Sequence, residues 1–232
     1  MEIKAIKTRI FRENEDLLGF ILKYVKKIPD KSVLVVTSKI VALAEGRTVE
    51  YKNEKQKIAL IKKESTFAIK TKHTWLTIKD GTVMASAGID ESNANGKLIL
   101  LPKNSFKSAE ILRKKLTQKF HIKNLGVLIT DSRLMPLRAG VVGVALGYAG
   151  FQGVRNYIGS SDIFGRALKM SKTDIADSLA TSAVLCMGEG REMQPLALIS
   201  KAPVRFSKKV NKKELIMNPR EDIYAPLFNQ LN

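Results

Sequence analysis

SVLVVTSKIVALAEGR, at residues 32–47, is the stretch that decides the fold. Its first part, Ser32–Thr37, is a short run of apolar and β-branched side chains, which predicts a buried strand. Its second part, Ser38–Glu45, looks like a strand end that runs into the start of a helix, and Gly46 closes it. The stretch therefore predicts a core strand that is followed at once by a helix.

Outward from this stretch, apolar residues recur at helical spacing in some segments and form short continuous runs in others. The predicted helices are 14–27, 53–65, 105–120 and 171–187. The predicted strands or extended segments are 66–79, Val83–Ala87, Lys97–Leu101, Leu125–Thr130, which ends on Asp131, and Leu196–Ile199, which closes the fold. Because helices and strands are mixed without strict alternation, the sequence predicts an α+β fold with mixed sheets and packed helices.

Polar residues and glycines mark where these elements begin, turn and end. The expected helix caps are Asn14, Ser105 and Ser171. Asp80–Gly81 is a hairpin turn signal. The glycine-rich apolar segment 140–150 (GVVGVALGYAG) is expected to pack its backbone closely against neighbours, and Gly188 is expected to end the last predicted helix.

The charge of the chain is strongly positive. The 232 residues include 40 Lys and Arg against 22 Asp and Glu, which gives a formal net charge of +18. The basic residues are spread along the chain and lack the interleaved aromatic residues of a nucleic-acid stacking platform. A solvated basic surface is therefore favoured over a nucleic-acid site, and the charge would also attract anionic small molecules such as nucleotides.

A cytoplasmic location is expected from three features. The chain has no run of about 18 apolar residues, so no membrane span is predicted. The N-terminal stretch MEIKAIKTRIFREN has no apolar segment followed by a small-residue cleavage site. The single cysteine, Cys186, excludes an internal disulfide and agrees with a reducing compartment. Because its neighbours are apolar, Cys186 is expected to be a core thiol.

A few polar residues stand out. Asp90, Asp131 with Ser132, and Glu189 follow predicted strands or helices, and Asp162 and Arg166 belong to the segment SSDIFGR (160–166) further downstream. Carboxylates joined by a hydroxyl suit a hard cation such as Mg²⁺ or Mn²⁺, and neighbouring glycines let backbone N–H groups approach phosphate. Each feature alone also has a simpler explanation as a turn, a cap or a helix end. Motifs of the GxxxxGK[ST] or GxGxxG type are absent, so a bound nucleotide needs another kind of site.

Several segments match one known family in order and spacing. They are VLVVTSKIVALAEGR (33–47), ASAGIDESN (85–93), LP…SAEILRKKL (101–116), GVLITDS (126–132) and GSSDIFGRALKMSKTDIADSLATSAVLCMGEG (159–190). The combination of AGIDESN, ITDS and MGE is specific. The chain resembles the coenzyme F(420)-0:gamma-glutamyl ligase family over roughly residues 1–200, most strongly over 33–200, and 201–232 is a basic C-terminal segment.

The resemblance implies a single ligase-like domain over 1–232 that forms an intertwined homodimer. It implies GTP as cosubstrate, two divalent ions (Mn²⁺ or Mg²⁺) and K⁺, and an amide formed between a substrate carboxylate and L-glutamate through an acyl phosphate. The implied metal ligands are Asp90 and Asp131 for one ion, and Ser132 and Glu189 for the other. The implied nucleotide contacts are Ser38, Lys39, Asn93 and, in one loop, Met187, Gly188, Gly190, Arg191, Glu192, Met193 and Gln194. Thr8–Phe11 is implied to face the nucleotide, and Arg138, Asp162 and Arg166 are implied to contact the substrate.

The chain also departs from the family pattern. Ser132 replaces a threonine, Leu43 replaces a nucleotide-contacting lysine, Leu137 replaces an aromatic residue because TDSRLMPLR (130–138) stands for TDTFGRPWR, and Asn156 and Ile158 stand where Asp and Arg are expected. A leucine cannot pair with phosphate. These changes keep three alternatives open: a ligase for another acceptor such as a folate-like carboxylate, a nucleotide- and metal-binding homologue without ligase activity, and, from charge alone, a nucleic-acid binder.

Overall fold

The computed structural model describes residues 1–228. In chain order its helices are α1 (Leu17–Tyr24), α2 (Ser38–Ala44), α3 (Glu54–Glu64), α4 (Ser105–Phe120), α5 (Ile175–Met187) and α6 (Ala225–Phe228). Its strands are β1 (Glu2–Ile6), β2 (Ser32–Thr37), β3 (Thr48–Val49), β4 (Phe67–Lys70), β5 (Trp75–Lys79), β6 (Thr82–Ala85), β7 (Leu98–Ile99), β8 (Leu125–Leu134), β9 (Val141–Ala149), β10 (Val154–Asn156), β11 (Lys172–Asp174) and β12 (Leu196–Ser200). This mixture of helices and sheets confirms the predicted α+β class.

Five strands form the central sheet in the order β1-β12-β2-β8-β9, in which β2 and β8 run parallel and the other pairs run antiparallel. Helices α1, α2 and α4 pack on one face, and α5 packs on the other. The predicted strand β2 is the middle strand, and Val33, Leu34, Val35 and Val36 are fully buried. A strand covered on both faces needs such a continuous apolar run.

The parallel pair of strands places two polar residues at one edge of the sheet. Thr37 lies opposite Thr130 where β2 and β8 run side by side. Ser38, the first residue of α2, and Asp131, the next residue of β8, therefore lie beside each other. Parallel strands are joined by long connections, so this neighbourhood is not visible in the sequence.

Two details of these strand ends differ from the prediction. Helix α2 begins at Ser38 itself, directly after β2 ends at Thr37, so the segment 38–45 contains no strand residues. Strand β8 does not end on Asp131 but continues to Leu134. It continues because β9 pairs with it along this length, after a register shift between Ile129 and Thr130.

Smaller sheets lie between α2 and α4 in the sequence. Strands β4, β5 and β6 form a three-stranded sheet, and β3 pairs with β7. The predicted turn Asp80–Gly81 joins β5 to β6, and its two residues have φ of 51° and 75°, as a type I′ turn requires. A bridge between Asp90 and Ile99 ties the segment after β6 to β7.

The three predicted helix caps are wrong by a few residues. The side chains that accept first-turn N–H groups are those of Asp16, Asn104 and Asp174. Asn14 adopts a φ of 59° and lies in a turn, and Ser105 is already helical. Ser171 precedes β11, whose pairing with β10 delays the start of α5. In each case the cap is an Asp or Asn that lies one to three residues from the predicted one.

The glycines of β9 lie against helices on both faces of the sheet. A Cβ on Gly143 would lie 2.5 Å from the Ala180 carbonyl oxygen of α5, and a Cβ on Gly147 would lie 2.5 Å from the Phe106 backbone nitrogen of α4. No side chain fits at these distances, so the close packing predicted for 140–150 is confirmed.

Two further expectations are wrong. The strand at Leu196–Ser200 does not close the sheet but lies inside it, because β1, which the sequence analysis did not predict, pairs along its outer side. Cys186 is exposed, although Ala183 and Met187 on the same helix are buried. Val184 and Met187 point to the sheet, whereas Leu185 and Cys186 lie on the exposed side of α5.

The basic C-terminal segment returns to the domain. Phe206 forms a bridge with Phe151. The Glu214 carboxylate accepts hydrogen bonds from the Tyr148 hydroxyl at 2.6 Å and the Gly153 N–H at 2.7 Å. Residues 229–232 of the predicted segment 201–232 lie outside the described residues. Across residues 1–228, the helices are too short or too polar to span a membrane.

Candidate functional site

Asp131 is a partly buried carboxylate at the edge of the sheet where β2 and β8 run side by side. The Ser38 hydroxyl donates to its Oδ1 across 3.3 Å. Burial raises the pKa of Asp131, and the negative charge of Asp90 adds to this, against the opposing effects of the Ser132 N–H, Arg133 and Ser38. The hydrogen bonds and charges around this carboxylate therefore do not compensate for its loss of solvent, and a bound cation would supply the missing positive charge.

Asp90 forms an ion pair with a lysine of the same chain. The Lys39 ammonium lies 2.8 Å from Asp90 Oδ2, and the Ser92 N–H donates to Oδ1 at 2.6 Å. Lys39 also donates to the Ser92 carbonyl at 2.9 Å. Burial opposes the charged form, but Lys39 and Ser92 together hold the pKa of Asp90 below its ordinary value. Asp90 is thus ionised and held in place.

Ser132 and Glu189 form a second pair. The Ser132 hydroxyl donates to Glu189 Oε1 at 2.5 Å. Successive side chains on a strand point to opposite faces, so Asp131 and Ser132 leave β8 in opposite directions and meet different partners. Asp131 therefore lies beside Ser38 on one face of β8, and Ser132 lies beside Glu189 on the other.

The loop after α5 folds back on itself beside this pair. Gly188 ends α5 with a φ of 82°, which confirms the predicted helix end. The Gly190 N–H donates to Glu192 Oε2 at 2.8 Å. The Thr8 N–H donates to the Met193 carbonyl at 2.9 Å, so the structure joins the N-terminal stretch Thr8–Phe11 to this loop.

Other implied site residues lie in turns. Asn93 has a φ of 54° and directly follows Ser92. Arg138 is exposed in the turn between β8 and β9. Asp162 Oδ1 accepts the N–H groups of Phe164 at 2.9 Å and Arg166 at 2.8 Å, so Asp162 stabilises its own loop. The structure does not bring Arg138, Asp162 or Arg166 into contact with the carboxylate pairs.

The donor chemistry fits a hard divalent cation, with limits. Oxygen ligands from Asp90 and Asp131 suit Mn²⁺ or Mg²⁺, which take one or two carboxylates and fill the remaining positions with water or phosphate oxygens. Within residues 1–228, no three His, Cys, Asp or Glu residues come together to hold a metal by themselves. Substrate oxygens would therefore have to complete each coordination shell.

Sequence reasoning missed Arg133. It lies two residues beyond Asp131 on β8, and its Nε is buried without a hydrogen-bond partner in the described part of the chain. Burial lowers the pKa of this guanidinium, against the attraction of Asp131, Asp177 and Asp80. The only available signal was the spacing of two residues from Asp131, which places both side chains on one face of a strand.

The chain is similar to proteins of one family. The family described as F420-0:Gamma-glutamyl ligase matches residues 5–201. A Methanococcus maripaludis (strain C7) protein named "Coenzyme F420:L-glutamate ligase" is 35% identical, and the match covers 97% of each chain. A protein of that name from Methanocaldococcus jannaschii is 32% identical, with 97% of this chain and 96% of the relative covered. Another, from Archaeoglobus fulgidus, is 32% identical over 82% of this chain and 83% of the relative.

Proposed function

Because this chain belongs to the F420-0:gamma-glutamyl ligase family, we propose that it joins L-glutamate through an amide bond to a carboxylate of coenzyme F(420)-0, using GTP and two divalent ions. The observation that carries the proposal is the partly buried Asp131 beside Ser38, with Asp90 and Lys39 close by. This set offers oxygen ligands for a cation and an ammonium for a phosphate at one edge of the sheet.

The chemistry needs a nucleotide because a carboxylate is a poor electrophile. In the proposed reaction a carboxylate oxygen of the acceptor attacks the γ-phosphorus of GTP, and the bond to the β-phosphate oxygen breaks to release GDP. The glutamate nitrogen then attacks the acyl phosphate carbon, inorganic phosphate leaves with the C–O bonding electrons, and the nitrogen loses a proton. Bound divalent ions would supply charge neutralisation on the triphosphate.

The residues of the chain would position the reactants and exclude water. Asp90 and Asp131 would hold one ion, and Ser132 with Glu189 would hold the other. Lys39 would exchange its contact with Asp90 for a phosphate oxygen, since an ammonium is a point charge that rotates freely between partners. The loop from Met187 to Gln194, joined to Thr8, would lie over the nucleotide.

One observation favours a second candidate, a ligase with altered nucleotide or acceptor preference. Leu43, where the family pattern has a lysine, packs against the apolar clusters around Ala42, Ala94 and Ile99. The Asn156 side chain accepts the Ile158 N–H at 2.9 Å and forms a local turn. Leu43 cannot pair with phosphate, and Asn156 lacks the charge that the family pattern has at its position, so ATP and folate-like acceptors belong in the same test.

The experiment is calorimetric titration of GTP, and then ATP, into the protein with and without Mn²⁺. Binding that depends on Mn²⁺ is expected, followed by formation of the glutamyl amide when L-glutamate and F(420)-0 are added and the product mass is measured. Metal-dependent binding with product from a folate-like acceptor alone would establish the second candidate. Failure of both nucleotides to bind with the metal present would overturn the proposal.

A further inference from the structure

A cavity of about 280 Å³ opens between β6, the first turn of α4 and the returning C-terminal segment. Its charged lining residues are Arg133, Lys103, Lys212 and Asp80. Three of these four groups are cations, so the cavity suits a ligand that carries more carboxylates than ammonium groups. The first turn of α4 adds the partial positive charge of a helix N-terminus to the same lining.

Arg133 shows what the cavity lacks. Its Nε is buried and has no hydrogen-bond partner within residues 1–228. The guanidinium is attracted through space by Asp131, Asp177 and Asp80. None of these carboxylates accepts a hydrogen bond from its Nε–H. Leaving the Nε–H of a guanidinium without an acceptor in a buried place costs free energy. A ligand carboxylate would supply two acceptor oxygens in the matching geometry.

We propose that this cavity binds L-glutamate, the amine donor of the reaction, with its carboxylates on the three cations and its ammonium beside Asp80. The inference rests on the proposed function. L-glutamate has two carboxylates and one ammonium, which matches three cations and one carboxylate in the lining. Arg133 and Asp131 leave the same face of β8, so the amino acid would lie next to the site where the acceptor carboxylate is activated.

The size of the cavity separates L-glutamate from the other reactants. Sites for larger ligands occupy about 300–1,000 Å³, and this cavity is just below that range. A nucleotide or a tricyclic acceptor would need more room.

The test is calorimetric titration of L-glutamate into the wild type and variants, with and without GDP and Mn²⁺. We expect Arg133→Met and Lys212→Gln each to weaken binding at least tenfold. Lys213→Gln is the matched control, because Lys213 is the next residue but does not line the cavity, and it should leave binding unchanged. Arg133→Lys, which keeps the charge, should recover part of the affinity, and thermal unfolding establishes that each variant is folded.

A second arm tests the orientation of the ligand. Asp80→Asn should weaken L-glutamate binding about tenfold and leave binding of glutarate, which has both carboxylates and no amine, unchanged. Equal L-glutamate affinity in the wild type, Arg133→Met and Lys212→Gln would overturn the proposal. Binding of inorganic phosphate in place of L-glutamate would also overturn it, since the cavity would then be a phosphate site.

These outcomes are separable from those of the proposed function. If the protein turns over GTP and L-glutamate but Arg133→Met leaves the KM for L-glutamate unchanged, the cavity assignment fails and the ligase stands. If L-glutamate binds in an Arg133-dependent way but neither nucleotide binds with Mn²⁺, the ligase assignment fails and the amino-acid site stands.

Discussion

The ammonium of Lys39, at the start of α2, lies 2.8 Å from Oδ2 of Asp90, a residue far from it in the sequence. This contact places a built-in cation where the implied metal ligand Asp90 would hold an ion. Lys39 and a divalent ion therefore compete for the same carboxylate, and a triphosphate would relieve the competition by drawing Lys39 away.

Replacing Lys39 should separate ion binding from nucleotide binding. In Lys39→Met we expect Mn²⁺ alone to bind more tightly, because the competing ammonium is gone. GTP with Mn²⁺ should bind about tenfold more weakly, since a charged hydrogen bond to phosphate contributes about 1.5–3 kcal/mol. Titration of each ligand measures both effects.

The control for that pair is Lys57→Met. Lys57 lies 2.9 Å from Glu91, the neighbour of Asp90 in sequence, so it forms an equivalent ion pair outside the site. It should change neither affinity. Weaker Mn²⁺ binding in Lys39→Met would contradict the competition and indicate that Lys39 organises the ligands instead.

Replacing Asp131 should raise the stability of the protein and remove its ion-dependent nucleotide binding. Because burial raises its pKa in the folded protein, the folded state holds the proton more tightly than the unfolded state, and stability falls as the pH rises above the ordinary aspartate pKa. Asp131→Asn should abolish Mn²⁺-dependent GTP binding and raise the free energy of unfolding at pH 8 by about 1 kcal/mol. Denaturant titrations at pH 5 and pH 8, with Asp222→Asn as control, measure this. A less stable variant at pH 8 would show that Asp131 is better compensated than its contacts indicate.

A methyl group at Gly143 should disrupt the packing of α5 on β9. The new Cβ would meet the Ala180 carbonyl oxygen at 2.5 Å and Val184 Cγ2 at 2.7 Å. Overpacking of this kind costs about 1–3 kcal/mol, so Gly143→Ala should unfold at a clearly lower denaturant concentration. Gly190→Ala, whose nearest neighbour would lie at 3.4 Å, should unfold like the wild type. Equal stability of the two variants would mean that α5 can shift away from the sheet.

Asp174, the cap of α5, should make stability depend on pH. Burial, together with the neighbouring Asp177, raises the pKa of Asp174 to about 6. The folded state therefore keeps its proton between the ordinary aspartate value and pH 6, and the free energy of unfolding falls as the pH rises through this window. Asp174→Asn keeps the cap, because Asn is an equally good acceptor, and should reduce the slope of stability against pH.

The measurement for Asp174→Asn is denaturant unfolding from pH 4.5 to 7.5. The same exchange at Asp16, which caps α1, should leave the wild-type slope in place. An unchanged slope in Asp174→Asn would assign the pH dependence to other carboxylates.

The elements with the strongest patterns could be predicted from the sequence. Helix α4 and strand β2 have the predicted bounds because their apolar residues follow the helical period and a continuous run. The caps were displaced, since Asp16 and Asn14 carry the same local signal and only the turn at Asn14 selects between them. Strand β1 gave no signal, because a short alternating segment acquires its conformation from its partner, β12.

The candidate site shows the same division. Gly88–Asn93 is a polar run after a strand, and Asp131 and Ser132 follow a buried apolar run, so the sequence and its family resemblance single out Asp90, Asp131 and Glu189 as candidates. Arg133 did not stand out, because an arginine near a strand end is ordinary until its surroundings are known. Its burial without a partner depends on α4 and the C-terminal segment, which come from distant parts of the chain.

The sequence by itself determined which residues can form strands and helices and which side chains can bind a cation, because these properties depend on local period and chemical type. Only the tertiary structure decided that Ser38 meets Asp131, that Lys39 meets Asp90 and that Arg133 lines a cavity. Those contacts join residues far apart in the chain, and parallel pairing and helix packing, rather than any local propensity, bring them together.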